Sequence, residues 1–284
     1  MVITGATSGI GFKAAEQFAQ QGAFVIGVGR SEKKNQQAVE SIITTNPKGE
    51  AVYLLADLGH QRSVRMLGDE IQSLFKTYGI TSLDVLINNA GVYLEKKHMT
   101  VEGIEMTFAV NHLAPFLLTH ELYPLLARSD SPRVLTLSSY SHRNTPINLN
   151  RIFNPHPYIG LLAYKRSKLC NILFTYELNR RSNALLALAV DPGLVNTDIA
   201  SKGDRGISAW VWRRRRQKGT GTDVPVKTLL YLADDHQIDT SQGYYFRDCQ
   251  AIKPSNLARN KDLARNLWTL SCQLTGTKDL SIDF

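Results

Sequence analysis

Val2-Ile3-Thr4 runs straight into Gly5-Ala6-Thr7-Ser8-Gly9-Ile10-Gly11, and a helical apolar pattern then continues to about Gln21. Three glycines between a buried strand and a helix allow a tight turn in which backbone amides, at the positive end of the helix, can meet a pyrophosphate. Gly5, Ser8, Gly9, Ile10 and Gly11 are therefore candidates for holding a phosphorylated cofactor. The spacing, G-x-x-x-G-x-G, differs from the common G-x-G-x-x-G dinucleotide fingerprint.

The same strand-then-helix pattern repeats along the chain. Gly22 is placed to end the first helix, Ala23–Val28 reads as the second strand, and Ser31 is placed to cap the helix after it. Ala51–Leu55 is a third strand, followed by a helix over His60–Tyr78, and Leu83–Ile87 is a fourth that ends in Asn88-Asn89-Ala90-Gly91. Thr100–Arg128 reads as one long helix interrupted near Asn111 and Pro115, where proline should kink it. A strand over Arg133–Ser139, a loop over Tyr140–Gly160, a helix around Tyr164 and a strand over Leu185–Val190 come next. A helix over Val224–Ala233, a short strand near Tyr244–Phe246 and a helix over Leu257–Leu274 complete the pattern. Strands alternating with helices predict parallel βαβ units with right-handed crossovers. The expected fold is a single α/β domain over residues 1–284, a doubly wound (Rossmann) parallel sheet of about seven strands with a helical extension over residues 257–284.

Length and composition set outer bounds. A chain of 284 residues with 43% hydrophobic residues suits one large domain. The first strand is short, an indication that the natural chain begins earlier or that this form is shortened. Lys and Arg exceed Asp and Glu by eight, a surplus that suits an anionic partner: a phosphorylated cofactor, an acidic membrane surface or nucleic acid. The last is disfavoured because no aromatic-basic platform or recognition helix is present. Cys170, Cys249 and Cys272 are too far apart for a disulfide framework or a metal cluster, which points to a reducing, cytoplasmic setting. No apolar run reaches the about 18 residues of a membrane span, and no signal peptide is evident.

Chemistry is expected in the stretch Leu161–Phe174, where Leu161, Leu169, Ile172 and Leu173 recur at helical spacing. Tyr164 and Lys168 lie one turn apart on that helix, and a fixed ammonium favours a phenolate whose free pKa is about 10. The same Tyr-x-x-x-Lys spacing at Tyr93 and Lys97 lacks an apolar stripe, so spacing alone decides nothing. Ser139 ends a strand at the sheet's carboxyl edge, and alternation turns Ser138 to the other face.

These residues in this order, with Asn111 and Pro192-Gly193, resemble the short-chain dehydrogenase/reductase family over nearly the whole chain to about Ala233. Ala163-Tyr164-x-x-Ser167-Lys168-Leu169-x-Asn171 and Val110-Asn111-His112-Leu113 resemble its retinol dehydrogenase-like branch. The resemblance implies that Tyr164 is the acid/base, that Lys168 binds the nicotinamide ribose and depresses the Tyr164 pKa, and that Ser139 hydrogen-bonds the substrate oxygen. It also implies that Asn111 holds a water for proton relay, that Asp57 and Leu58 contact the adenine, and that Asn89, Ala90 and Gly91 contact its ribose. Pro192, Gly193, Val195 and Thr197 would border the nicotinamide. Charge argues for NADP(H) over NAD(H), because the second strand ends in Gly29-Arg30-Ser31, and an arginine there accommodates a 2′-phosphate.

An NADP(H)-dependent oxidoreductase acting on an alcohol/carbonyl pair is thus expected, and the branch implies a lipophilic substrate: a retinoid, steroid or long-chain aldehyde or ketone. The alternative is a catalytically idle relative serving as an interaction or redox-sensing module. Sugar-nucleotide epimerases share the tyrosine pair but not the glycine spacing. The loop over Tyr140–Gly160, with His142 and His156 as loop or pocket-wall residues, and a lid over residues 196–222 should wall the pocket. Trp210-Val211-Trp212 and Arg213–Arg216 are open to two readings, a solvated lid or peripheral contact with an anionic intracellular membrane. Dimers or tetramers are common in the family, so a homo-oligomer is a further expectation.

Overall fold

The computed structural model describes residues 1–46, 49–193, 221–234 and 237–280. β1 (Val2–Thr4), α1 (Gly9–Gln20), β2 (Val25–Gly29), α2 (Glu32–Thr45), β3 (Ala51–Leu55), α3 (Gln61–Tyr78) and β4 (Val85–Asn88) form the first half. α4 starts at Met106–Phe108, passes through a π-helical turn at Ala109–Leu113 and continues over Ala114–Leu126. β5 (Arg133–Leu137), α5 (Gly160–Arg181), β6 (Leu186–Val190), α6 (Asp223–Asp234), β7 (Tyr245–Arg247), β8 (Gln250–Ala251) and α7 (Lys261–Thr275) complete the second. The sheet order is β3-β2-β1-β4-β5-β6-β7-β8, with only the β7–β8 pair antiparallel. That last short strand makes the sheet eight strands instead of the expected seven.

Alternation along each strand decides which layer a residue joins. Val2, Ile26, Leu86, Val134 and Ala187 pack in one apolar layer with Val64, Ile71 and Phe75 of α3, Phe116 and Leu122 of α4, Phe174 of α5 and Trp268 of α7. Their neighbours Ile3, Val25, Ile87, Leu135 and Leu188 face the other way, onto Ala14 and Phe18 of α1, Ile42 of α2 and Leu229 of α6. Both faces are covered, which is why the strands read as nearly continuous apolar runs. Strand order reverses between β1 and β4, and open α/β sheets bind ligands in the crevice beyond the carboxyl ends at such a point.

Several local expectations are corrected. The helix placed over Thr100–Arg128 begins only at Met106, because Met99 bridges Glu105 in extended form. Buried Glu105 then caps the helix by accepting from Thr107 N at 2.8 Å and Phe108 N at 2.9 Å. The interruption at Asn111 is the π turn, and Pro115 sits directly after it, in the first turn of the α-helical stretch that follows. Ser31 holds the N-cap position of α2 without a side-chain capping bond. The Tyr140–Gly160 loop contains two 3-10 turns, Tyr140–His142 and Leu149–Arg151. A third, Leu257–Arg259, precedes α7, so the helix predicted from Leu257 starts at Lys261.

Phe116 is fully buried and joins α4 to α7 and α5, its ring 5.0 Å from Trp268 and 5.8 Å from Phe174. Phe116→Ala should lower the unfolding free energy by about 3–5 kcal/mol in a urea titration. A loss below about 1 kcal/mol would show that this junction is not part of the cooperative core.

Candidate active site

The turn after β1 can approach β4 only because two side chains are missing. Gly5 has φ +66° and Gly9 φ +58°, backbone that L side chains rarely adopt. A Cβ on Gly11 would lie 2.4 Å from Gly5 O and 2.4 Å from Asn89 Nδ2. Asn89 Nδ2 donates to Thr4 O at 2.9 Å and to Gly5 O at 3.2 Å, while Asn89 N and Ala90 N donate to Thr4 Oγ1. Tyr53 braces the turn by donating its hydroxyl to Ala6 O at 3.0 Å.

Above this turn opens a cleft lined by Gly5, Ser8, Gly9, Ile10, Arg30, Asp57, Leu58, Asn89, Ala90 and Gly91 of the sequence-predicted set. Thr7, Val28, Gly29, Ala56, Val92 and Val110 also line it and were not anticipated. Thr7 lies inside the glycine turn, Val28, Gly29 and Ala56 at strand ends, Val92 in the loop after β4 and Val110 in the π turn, so their exposure to the cleft depends on how the strands align. Asp57 is folded back, its Oδ1 accepting from Gly59 N at 2.9 Å. Ser8 is the N-cap residue of α1 but makes no side-chain capping bond, and the first turn carries no acidic residue. An anion at this helix start therefore meets neither a competing cap nor a like charge. These residues suit a dinucleotide: the turn and the start of α1 would hold its pyrophosphate, and Arg30, Asp57 and Leu58 would hold its adenosine end.

The residues expected to react converge from α5 and the end of β5. Tyr164 is buried on α5 and hydrogen-bonds with Ser139 just beyond β5. Lys168, also buried, donates from Nζ to Leu137 O at 3.0 Å and lies 5.6 Å from the Tyr164 ring centroid. Ser138 donates to Lys168 O at 2.7 Å and Asn171 Nδ2 to Leu137 O at 3.0 Å, so α5 is tied to the end of β5 at several points. Ser138 is thus a packing residue. Tyr93, whose spacing to Lys97 imitated the reacting pair, lies outside any helix and packs edge-on against Tyr164 at 5.9 Å.

One expectation about this pair is reversed in the protein alone. Burial pushes the Tyr164 phenol up to about 12, the charge of Asp191 acts the same way, and the Ser139 hydrogen bond opposes both. Burial also brings the Lys168 ammonium down to about 8. Loss of water disfavours both charged forms. Asn111 is fully buried, accepts from Val92 N at 2.7 Å, and commits both amide hydrogens, to Val92 O at 3.0 Å and Ser167 Oγ at 2.9 Å. No side-chain hydrogen of Asn111 is left to donate to a relay water. Its side chain fastens the segment after β4 to α5.

Beyond β6, Gly193 has φ +71° and donates to Asp191 Oδ1 at 3.0 Å, with Pro192 between them. Val195, Thr197, nearly all of the 196–222 lid and the Trp210–Arg216 run lie outside the described residues. His142, expected in the pocket wall, is buried under Ser139 and bonds its carbonyl through Nδ1 at 2.8 Å. His156 is exposed. Among the described residues no group of His, Cys, Asp or Glu could hold a metal, and no helix is long and apolar enough to cross a membrane.

Comparison with known proteins agrees with this geometry. Residues 1–207 match the short chain dehydrogenase family. Retinol dehydrogenase 12 of Mus musculus is 34% identical over 278 residues, covering 97% of this chain and 86% of that protein. Polyprenol dehydrogenase of Homo sapiens is 32% identical over 295 residues, covering 99% and 86%. A crystal structure of an uncharacterized protein from Mycobacterium paratuberculosis superposes with TM-score 0.74 at 34% identity, over 98% of this chain and 93% of that one. A Shigella flexneri short chain dehydrogenase solved with NADP shares the fold, with TM-score 0.62 at 22% identity over 82% and 90% of the chains. With a family match over most of its length and relatives alike almost from end to end, the chain belongs to the short chain dehydrogenase family.

Proposed function

We propose that this member of the family is an NADP(H)-dependent oxidoreductase interconverting an alcohol and its aldehyde or ketone, with a lipophilic substrate. The observation that carries the reading is the convergence of Tyr164, Ser139 and Lys168 at the carboxyl edge of the sheet, beside a cleft floored by the Gly5–Gly11 turn. A nicotinamide bound there would supply or accept the hydride. In the reducing direction Tyr164 gives its proton to the carbonyl oxygen while Ser139 donates a hydrogen bond to the same oxygen. Lys168 carries a positive charge near the phenol ring and so eases the loss of that proton.

Arg30 at the end of β2 supports the choice of NADP(H), since a guanidinium pairs with a phosphate through two parallel hydrogen bonds. That retinol dehydrogenase 12 and polyprenol dehydrogenase are named for long apolar alcohols supports a lipophilic substrate.

Tyr164→Phe should reduce aldehyde turnover by roughly 10²–10⁴-fold, followed as NADPH absorbance, with NADPH affinity little changed. Near-native turnover in that variant would remove Tyr164 from the chemistry. Arg30→Asp should lower the ratio of kcat/KM with NADPH to that with NADH by roughly 10- to 100-fold, the worth of a charged hydrogen bond to phosphate. An unaltered ratio would contradict the cofactor assignment.

A further inference from the structure

Ser139 is the N-cap residue of the 3-10 turn Tyr140–His142, and its Oγ accepts from Ser141 N at 3.2 Å. A hydroxyl that accepts from the turn keeps its own proton for another oxygen, and Ser139 also hydrogen-bonds with Tyr164. The aim of that hydroxyl therefore depends on how the turn closes. It closes on the Ser139 carbonyl, which accepts twice from His142: from the backbone N at 3.1 Å and from the ring Nδ1 at 2.8 Å.

His142 is 1% exposed, and its ring is fixed from further sides. Ser255 N donates to Nε2 at 3.0 Å, so the ring accepts there and its one proton sits on Nδ1, the tautomer that can donate to Ser139 O. Burial holds the imidazole toward the neutral form that this division of roles requires. The Tyr245 ring stands edge-on to it with centroids 5.2 Å apart, and the Tyr245 hydroxyl is itself tied down by donating to Asp191 Oδ2 at 2.8 Å. Beside His142, Arg143 donates to Lys253 O. Lys253 and Ser255 lie beyond the stretch 1–207 that matches the family, so a later segment of the chain reaches back to the turn that carries Ser139.

We propose that His142 is a positioning residue: held in one tautomer by the Ser255 amide, it closes the turn that aims the Ser139 hydroxyl at the substrate oxygen. The inference rests on the oxidoreductase reading above and adds a residue to it. The imidazole touches neither the substrate oxygen nor the cofactor in this account. It acts on the Ser139 carbonyl, and through the turn on Ser141 N and Ser139 Oγ. His142 lies outside the residues that line the dinucleotide cleft, so its loss should be felt in the chemical step and not in cofactor binding. A ring that merely filled space would act on stability, with no preference for which of its two nitrogens is replaced.

The test is steady-state reduction of decanal by NADPH in a set of variants. His142→Ala should lower kcat about tenfold, within reach of one lost hydrogen bond, with KM for NADPH unchanged. An asparagine amide can stand where Nδ1 stood, so His142→Asn should recover most of the lost kcat. A glutamine amide reaches the Nε2 position instead, and His142→Gln should stay as slow as His142→Ala. In a Ser139→Ala background, His142→Ala should cost less than about twofold more, because an effect passed through the hydroxyl disappears with it. The proposal is overturned by an unchanged kcat in His142→Ala, by His142→Asn no faster than His142→Ala, or by a tenfold loss that persists without the Ser139 hydroxyl. If His142→Ala fails to fold, His142→Gln carries the same expectations. Should the wild type reduce no decanal, the oxidoreductase reading is what fails. The turn is then followed by hydrogen exchange of the Ser141 amide, measured by NMR. Exchange about tenfold faster in His142→Ala than in the wild type supports the proposal, and equal rates overturn it.

Discussion

The carboxyl edge of this sheet is organised by how closely the Gly5–Gly11 turn can lie against the end of β4. Gly11 packs where a methyl group would collide with Gly5 O and with Asn89, and Gly5 itself takes a left-handed backbone. The Asn89 amide then bonds the carbonyls of Thr4 and Gly5, closing the gap between strands β1 and β4 just beyond their paired residues. With the turn held down, α1 starts with its amides toward the crevice at the point where strand order reverses. An extra carbon at Gly11 would push the turn off β4 and reshape the floor of the cleft.

A second balance, between desolvation and charge, governs α5. Tyr164 and Lys168 are both taken out of water, which favours the protonated phenol and makes the ammonium easier to deprotonate. The Leu137 carbonyl accepts from Lys168 and from Asn171, so the amine is held in place. Anionic phosphates bound nearby would favour the protonated lysine and, through it, ease proton loss from Tyr164. Readiness for chemistry is in this account a property of the loaded site more than of the chain alone.

Most of the architecture was legible because parallel strands buried on both faces leave long apolar runs, and the glycine turn marks where the first of them ends. Strand alternation separated Ser139 from Ser138, and the structure commits Ser138 to the Lys168 carbonyl. The helix over Thr100–Arg128 was misplaced because its true start depends on Glu105, a capping carboxylate inside the protein that no local pattern marks. Proline suggested a kink at Pro115, while the π turn around Asn111 is set by the bonds its amide makes to Val92 and Ser167, residues distant in sequence. The direction of the Tyr164 shift in the protein alone was not legible for a related reason: spacing reveals a neighbouring cation, but the cost of burying the phenolate depends on residues such as Tyr93, which only the fold packs against it. The partners of His142 and Asp191 were not legible, since Ser139, Ser255 and Tyr245 are brought to them only by the fold.

The claim on which the rest stands is that a dinucleotide rests on this glycine turn. Calorimetric titration of the wild type and of Gly11→Ala with NADPH, at a temperature where both are folded, tests it most directly. The account predicts one binding site in the wild type and affinity at least about tenfold weaker in the variant, since about 1.4 kcal/mol of lost contact is enough for that factor. Absence of binding by the wild type, or equal affinity in the two proteins, would contradict it.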